Sequence, residues 1–334
     1  MPVVAGVGRN RNDCSATAVD PWTRTGEGSV EGEDQTVGSL RTYARKMRKV
    51  GNSARNCLGR HVVVLEAMLC AILRKPDNYD AYNRPDIVAD YARSAELFPS
   101  EIVVLDRLRY LMPRPSVLDI GVGGGRTTTA FSEQASRYVG IDYSPAMILA
   151  CKRRFASSSV PLEFCVGDVR LLPYKDGSFN FVLFSYNGID YMDHNDRLKA
   201  LREIHRVCAP GGIFCFSSHN IWSLNHVYDS PLANRRGLYR KLTGILNWAV
   251  LRTANPHLLD LLSKGHAMVN DGAHGFRLST YYADPNEVLS QLADVGFDSV
   301  TVYDLCGDVV EQPVADDFRD DWLAYSCSRP QIAS

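Results

Sequence analysis

The sequence predicts an α/β protein built on an open, mostly parallel, doubly wound sheet. Three observations predict it. Near the middle of the chain, the apolar run Val117-Leu118-Asp119-Ile120 enters a glycine-rich turn, Gly121 to Gly125, and a helix-compatible segment from Arg126 to Gln134 follows. Short apolar runs then alternate with segments of helical spacing, the pattern of parallel strands joined by crossover helices. Three of those runs carry an aspartate at or near the end that meets the next turn: Asp119, Asp142 and Asp168.

The elements follow in order. Tyr138 to Asp142 is a second strand, about twenty residues beyond the glycine turn, where an acid can accept hydrogen bonds from ribose hydroxyls. Ser144-Pro145 starts a helix, with Ser144 as N-cap and Pro145 in the first helical position. Leu162 to Val169 is a third strand containing Asp168. Asp176-Gly177 turns into a fourth strand, Phe179 to Ser185, and Arg197 to Cys208 is a helix with Leu198, Leu201, Ile204 and Val207 on one face. Ala209-Pro210-Gly211-Gly212 stops that helix before a fifth strand, Ile213 to Phe216. Two later strands, Val300 to Leu305 and Trp322 to Cys327, flank the helix Asn286 to Val295 and bring the count to seven.

The glycine spacing constrains the ligand. A dinucleotide turn reads G-x-G-x-x-G, and here its third glycine falls on Arg126. A phosphate loop needs Gly-Lys-Ser/Thr, which is absent. What stands is D-x-G-x-G-x-G from Asp119 to Gly125, and glycine is expected there to let a ligand reach the backbone. With the acids of the second and third strands and the Pro-Gly-Gly turn before the fifth, this run resembles the class I S-adenosylmethionine-dependent methyltransferases. The resemblance covers roughly Tyr110 to Asn220. It implies that the last strand is antiparallel and that S-adenosylmethionine is the cofactor. Asp119 and the turn Gly121, Gly123 and Gly125 would take the amino acid part, Asp142 the ribose, and Asp168 with Val169 the adenine. Tyr143, Met147 and Ser185 complete the expected cofactor set. Arg126 and Thr127 are read as helix-start residues.

Bulk properties bound the partners. The chain has 334 residues, a formal net charge of −1 and nine cysteines with no C-x-x-C pair. A neutral balance argues against nucleic acid, and the thiols are read as free and buried in a reducing cytoplasm. The organisation is read as a disordered tail over residues 1–38, a helical extension and lid over 39–110, the cofactor-binding core over 111–220, a substrate cap inserted at 221–275, and the end of the sheet at 276–330. Within the extension, the basic segment 41–60 beside an apolar run is compatible with a membrane surface. The favoured reading is a helix that packs on the core or on a second copy of the chain. Tyr82, Arg84 and Tyr91 are lid candidates by position.

The expected activity is methyl transfer to a small molecule at oxygen, nitrogen or carbon. Methylation of a macromolecule, or cofactor binding without turnover, are the alternatives. Tyr186 and Asn187, after the fourth strand, are candidates for orienting the acceptor. The Asn/Asp-Pro-Pro-Tyr/Phe run of exocyclic-amine and glutamine methylating families is missing there. His219, after the fifth strand, is the candidate proton acceptor, and His194 is read as a helix-start residue. No spacing of His, Asp or Glu has the form of a metal site, so no metal is expected.

Overall fold

The computed structural model describes residues 77–110, 113–224, 248–256, 263–311 and 320–331. The expected tail, the basic segment 41–60 and the apolar run after it lie outside the described residues.

A ten-stranded mixed sheet organises these residues, with eight strands in the order β3-β2-β1-β4-β5-β10-β8-β9. Its parallel half is β1 (Ser116–Ile120), β2 (Arg137–Asp142), β3 (Leu162–Val166), β4 (Phe179–Phe184) and β5 (Cys208–Asn220). Alternate residues of these strands feed two cores. Val117, Phe181, Leu183 and Cys215 face one side, against Val104, Leu105 and Leu108 of helix α3 (Pro99–Arg109). Leu118, Ile120, Val182, Phe214 and Phe216 face the other, against Leu201 and Ile204 of helix α6 (His194–Val207) and Val288 and Leu292 of helix α8 (Pro285–Val295). Because both faces are covered, the strands read as unbroken apolar runs rather than alternating ones.

The reversal at the far edge matches the implied antiparallel end. β10 (Trp322–Ser328) runs antiparallel between β5 and β8 (Asp298–Tyr303). Three strands exceed the expected seven. β9 (Val309–Val310) pairs with β8, and β6 (His266–Val269) with β7 (Thr280–Ala283) forms an antiparallel hairpin. β7 then joins the sheet beside the last residues of β5, His219 opposite Tyr282 and Asn220 opposite Ala283. These pieces are two to four residues long, too short for a period-2 pattern to register.

The N-terminal described segment is α1 (Asn78–Tyr82), α2 (Pro85–Arg93) and α3. It is pinned from both sides. The Asn78 side chain bonds the carbonyls of Tyr191 and Ser279, each at 2.9 Å. One Arg154 nitrogen reaches the carbonyls of Ala92, Ser94 and Gly124. Helices α4 (Thr128–Ser132) and α5 (Pro145–Arg154) follow β1 and β2. Ser144 caps α5 as expected, accepting from the Met147 amide at 3.2 Å.

Candidate active site

A cavity of about 760 Å3 opens at the carboxyl edge of the parallel strands, where open α/β sheets bind ligands. Its floor is Asp119 to Gly124, and its sides are Asp142, Tyr143 and Met147 after β2, Asp168 and Val169 after β3, and Ser185 and Tyr186 after β4. Its roof is Asp77, Asn78, Tyr79, Tyr82 and Tyr91. The expected cofactor residues therefore converge on one space, apart from Gly125, which does not face it.

The glycines do something other than expected. A Cβ at Gly124 would lie 2.5 Å from the backbone of Ala92 in α2, and one at Gly125 would lie 2.4 Å from the Phe155 ring. A Cβ at Gly121 would meet Phe184 at 2.8 Å. The space above the turn is thus occupied by protein, not reserved for a ligand alone. At Gly123 a Cβ would make only ordinary contact, 3.5 Å from Tyr91. Glycine is favoured there by its φ of +54°, a left-handed conformation costly for other residues. The residue that lets the lid rest on the turn is Gly124, which falls outside the alternating motif.

Two buried carboxylates stand in the wall. Both Asp142 oxygens accept backbone donors, from Gly123 N at 2.9 Å and Ser144 N at 2.8 Å. Burial nevertheless raises its pKa to about 6. Asp119 accepts from the Thr127 hydroxyl and the Tyr138 hydroxyl, each at 2.5 Å, and burial raises it likewise to about 6. Asp168 is half-exposed and held by Arg170, whose hydrogen bonds keep its carboxyl below the usual range. Arg170 also bridges to Asp196.

Arg126 is not merely a helix-start residue. Its guanidinium lines the cavity and pairs in two-pronged fashion with Glu101, both bonds at 2.6 Å, while donating to Ser185 Oγ at 2.6 Å. Ser185 in turn donates to Glu101. The same Glu101 accepts from the Phe98 amide at 2.8 Å and so caps α3. The signal in the sequence was an arginine in place of the third dinucleotide glycine, but its partner lies twenty-five residues upstream with no motif to mark it.

His219 and Asn187 do not line the cavity. His219 sits behind the wall, its Nδ1 2.8 Å from Asp190 and its backbone amide donating to the same carboxylate at 2.7 Å. Its Nε2 lies 3.3 Å from Asn187 Nδ2. Asp190 and Arg197 form an ion pair with both side chains fully buried, and Ser218 completes the cluster. Asn187 is 2% exposed and, like Tyr186, has a left-handed φ. Of the lid candidates, Tyr82 and Tyr91 line the cavity, whereas Arg84 pairs with Asp86. No described residue of the expected cap, 221–275, lines the cavity. Of the chain beyond it, Ser279 does. Most of that insertion lies outside the described residues.

His194, the first residue of α6, does more than start it. Its donor atoms and those of His266 and Glu287 lie within 4.8 Å of one another, a grouping that no sequence spacing announced. The two imidazoles stack with centroids 4.1 Å apart and planes 10° apart. Their lone pairs therefore lie in nearly parallel planes instead of converging on one ion, and no metal role is assigned to them.

The wall fits S-adenosylmethionine chemically. A buried carboxylate at the end of β2 suits the ribose hydroxyls, a glycine turn offers backbone, and the volume is that of a small-molecule pocket. Comparisons agree. Residues 117–212 match the family model described as a methyltransferase domain. A demethylmenaquinone methyltransferase of Thermus thermophilus is 32% identical over 98 residues, 29% of this chain and 43% of that protein. One from Renibacterium salmoninarum is 28% identical over 202 residues, 60% of this chain and 73% of that one. The chain spans about half the length of several of the curated relatives it matches. A solved S-adenosylmethionine-dependent methyltransferase of Methanosarcina mazei has 18% identity and a TM-score of 0.49, over 71% of this chain and all of that one. The glycine turn, the strand-end acids and the residues that match the methyltransferase domain, 117–212, thus lie on one sheet edge.

Proposed function

We propose that the protein transfers the methyl group of S-adenosylmethionine to a small-molecule acceptor. The observation that carries this reading is the cavity itself. It runs from the glycine turn and Asp142 to a roof of Asp77, Asn78, Tyr79, Tyr82 and Tyr91. A macromolecular acceptor needs an open, charged groove, and the balanced net charge gives no such field.

When bound, the cofactor supplies an electrophilic methyl group on a cationic sulfur. The chain's residues bind and orient. Asp142 accepts the ribose hydroxyls, with Tyr143 and Met147 beside it. Asp168 and Val169 take the adenine, the half-exposed carboxylate keeping lone pairs free beside its bonds to Arg170. Asp119 and the backbone of the turn hold the amino acid end. Ser185, fixed by Arg126 and Glu101, and Tyr186 border the acceptor. His219 and Asn187, behind the wall, support the backbone after β4 through Asp190 and Ser217.

A cytoplasmic location belongs to the same reading. Cys151, Cys165, Cys208, Cys215 and Cys327 are free thiols, and no described helix is long and apolar enough to cross a membrane. Pairing of two copies through the helical extension expected before residue 77 belongs to the same reading.

The test is a two-stage assay. Calorimetry should show binding of S-adenosylmethionine and of its demethylated product. Incubation with methyl-labelled cofactor and fractionated cell extract should then place the label in the low-mass fraction. Label in protein or nucleic acid would overturn the small-molecule reading, and cofactor binding with no label transferred to any fraction would overturn the transferase reading.

A further inference from the structure

A second, much smaller space lies behind the cavity wall. It holds about 20 Å3, room for one water molecule, and Ser100, Glu101, Ser185 and Ser217 are among the polar side chains that line it. Among the described residues, Ser185 alone lines both this space and the cavity. Glu101 lines only the smaller one.

The hydrogen bonds between these groups run one way. Arg126 can only donate, and its Nη2 gives a hydrogen to Ser185 Oγ at 2.6 Å. Glu101 accepts from the Phe98 amide at 2.8 Å and from both terminal Arg126 nitrogens at 2.6 Å, donors that hold it as a carboxylate. The Ser185 hydrogen therefore has to point at Glu101, as it does. A hydroxyl has two lone pairs. One of them takes Arg126, and the other is left for a ligand. Ser185 thus offers a ligand a lone pair and no hydrogen, with a carboxylate directly behind it.

That arrangement suits one kind of acceptor. An alcohol or phenol methylated on oxygen must lose its hydrogen. As the carbon–oxygen bond forms, the oxygen turns cationic and strongly acidic, so even a carboxylate paired with arginine is base enough to receive the proton. A methylated amine is a far weaker acid and would keep its proton against such a carboxylate. His219 cannot serve instead, because Asp190 and Asn187 hold both its ring nitrogens behind the wall.

We propose that the acceptor is a hydroxyl, and that its proton leaves through Ser185 to Glu101 and on to the smaller space. This rests on the methyl-transfer reading above. In the step, an oxygen lone pair forms the bond to the methyl carbon while the carbon–sulfur bond breaks, its electron pair staying on sulfur. The hydroxyl hydrogen passes to Ser185 Oγ as the Ser185 hydrogen passes to Glu101 Oε1. The positive charge of the sulfonium and the negative charge of Glu101 are both lost. What remains is a methyl ether, S-adenosylhomocysteine and a protonated Glu101, which gives its proton to water in the smaller space. Ser185 is the catalytic residue of this path, and Glu101 acts through it.

The experiment is the labelled-cofactor assay above, run on the full chain at saturating S-adenosylmethionine. Mass spectrometry and NMR of the labelled low-mass product should find the methyl group on oxygen. Ser185→Ala should cut turnover at least about tenfold, toward the 10²–10⁴ that loss of acid–base help costs, while calorimetry keeps S-adenosylhomocysteine affinity within about fivefold. Glu101→Gln, which cannot take the proton, should fall as far. The double variant should fall no further than the slower single one, because two residues that serve one path are not additive. Should Glu101→Gln fail to fold, Glu101→Asp, which draws the carboxylate back from Ser185, replaces it. A methyl group on nitrogen or carbon, a loss below tenfold in Ser185→Ala, or losses that multiply in the double variant overturn the proton path and leave the methyl-transfer reading standing. So does a Ser185→Ala protein whose S-adenosylhomocysteine affinity drops beyond fivefold, since Ser185 would then be a cofactor ligand. Label in no low-mass compound overturns the small-molecule reading and this proposal together.

Discussion

Two buried arginine–carboxylate clusters stand at the same edge of the sheet and do different work. Arg197, Asp190, Ser218 and His219 are sealed behind the wall, with the ion pair wholly buried. Arg126, Glu101 and Ser185 are nearly as buried, yet the arginine and serine face the cavity. Both clusters satisfy their charges with several hydrogen bonds, as buried charges must. Burial and a complete bonding set therefore do not separate a framework cluster from a site cluster. Access to the ligand space does.

That difference can be broken by mutation. The largest expected effect is on the sealed cluster. Arg197→Ala leaves Asp190 buried without its cation and should cost about 3–5 kcal/mol of stability. Urea unfolding would measure it, and cofactor affinity per folded molecule should stay within about twofold. Arg126→Ala should cost about 3 kcal/mol for the same reason. It should also weaken cofactor binding roughly fivefold or more, because Ser185 and the Glu101-capped start of α3 lose their anchor. Indistinguishable binding by the two variants would end the distinction.

The cavity carboxylates sharpen it through pH. Asp119 and Asp142 titrate near 6 in the folded chain, against 3.8 when unperturbed. Raised acids bind protons in the native state that the unfolded state has already released, so their contribution to stability falls as pH rises from about 4 to 6. Ribose binding has the opposite sign, since the ionised Asp142 is the better acceptor. Affinity for S-adenosylmethionine should drop roughly tenfold between pH 7.5 and 5, following a free-protein pKa near 6. Asp142→Asn should be weak and nearly flat over that range. A wild-type profile without that inflection would remove the carboxylate from the cofactor site.

The smallest effect concerns His219. Lying outside the wall, its change to Ala should alter turnover by no more than about threefold. A fall of 10²–10⁴ would restore the proton-acceptor role read from the sequence.

The floor and sides of the cavity were legible because their signals are local. A strand, a turn and a helix start lie within a dozen residues, so Asp119, Asp142 and Asp168 could be ordered along the chain, and all three line the cavity. The roof and its anchors were not, because they are assembled across long separations. Glu101 meets Arg126, and Asn78 meets Ser279, through contacts that leave no periodic trace. His219 was misplaced by one step of the same kind. Being at the carboxyl end of β5 put it at the right edge, but β7 and β10 pair on either side of it there, and Asp190 turns its ring away from the cavity. The alternating glycines were read as a turn that leaves its backbone open to a ligand; at Gly121 and Gly125 the rings of Phe184 and Phe155 also fill the space a side chain would need.

The contact between Gly124 and Ala92 has a practical consequence for exchange between relatives. The roof precedes residue 117 and so lies outside the matched domain, which makes residues 77–109 a natural unit to graft when a different acceptor is wanted. Such a graft is not free. The incoming segment must bring its backbone as close to position 124 as α2 does, must supply a carboxylate for Arg126, and must present carbonyls to Arg154. A transplanted roof that meets these three demands would carry its own acceptor preference onto an unchanged cofactor floor.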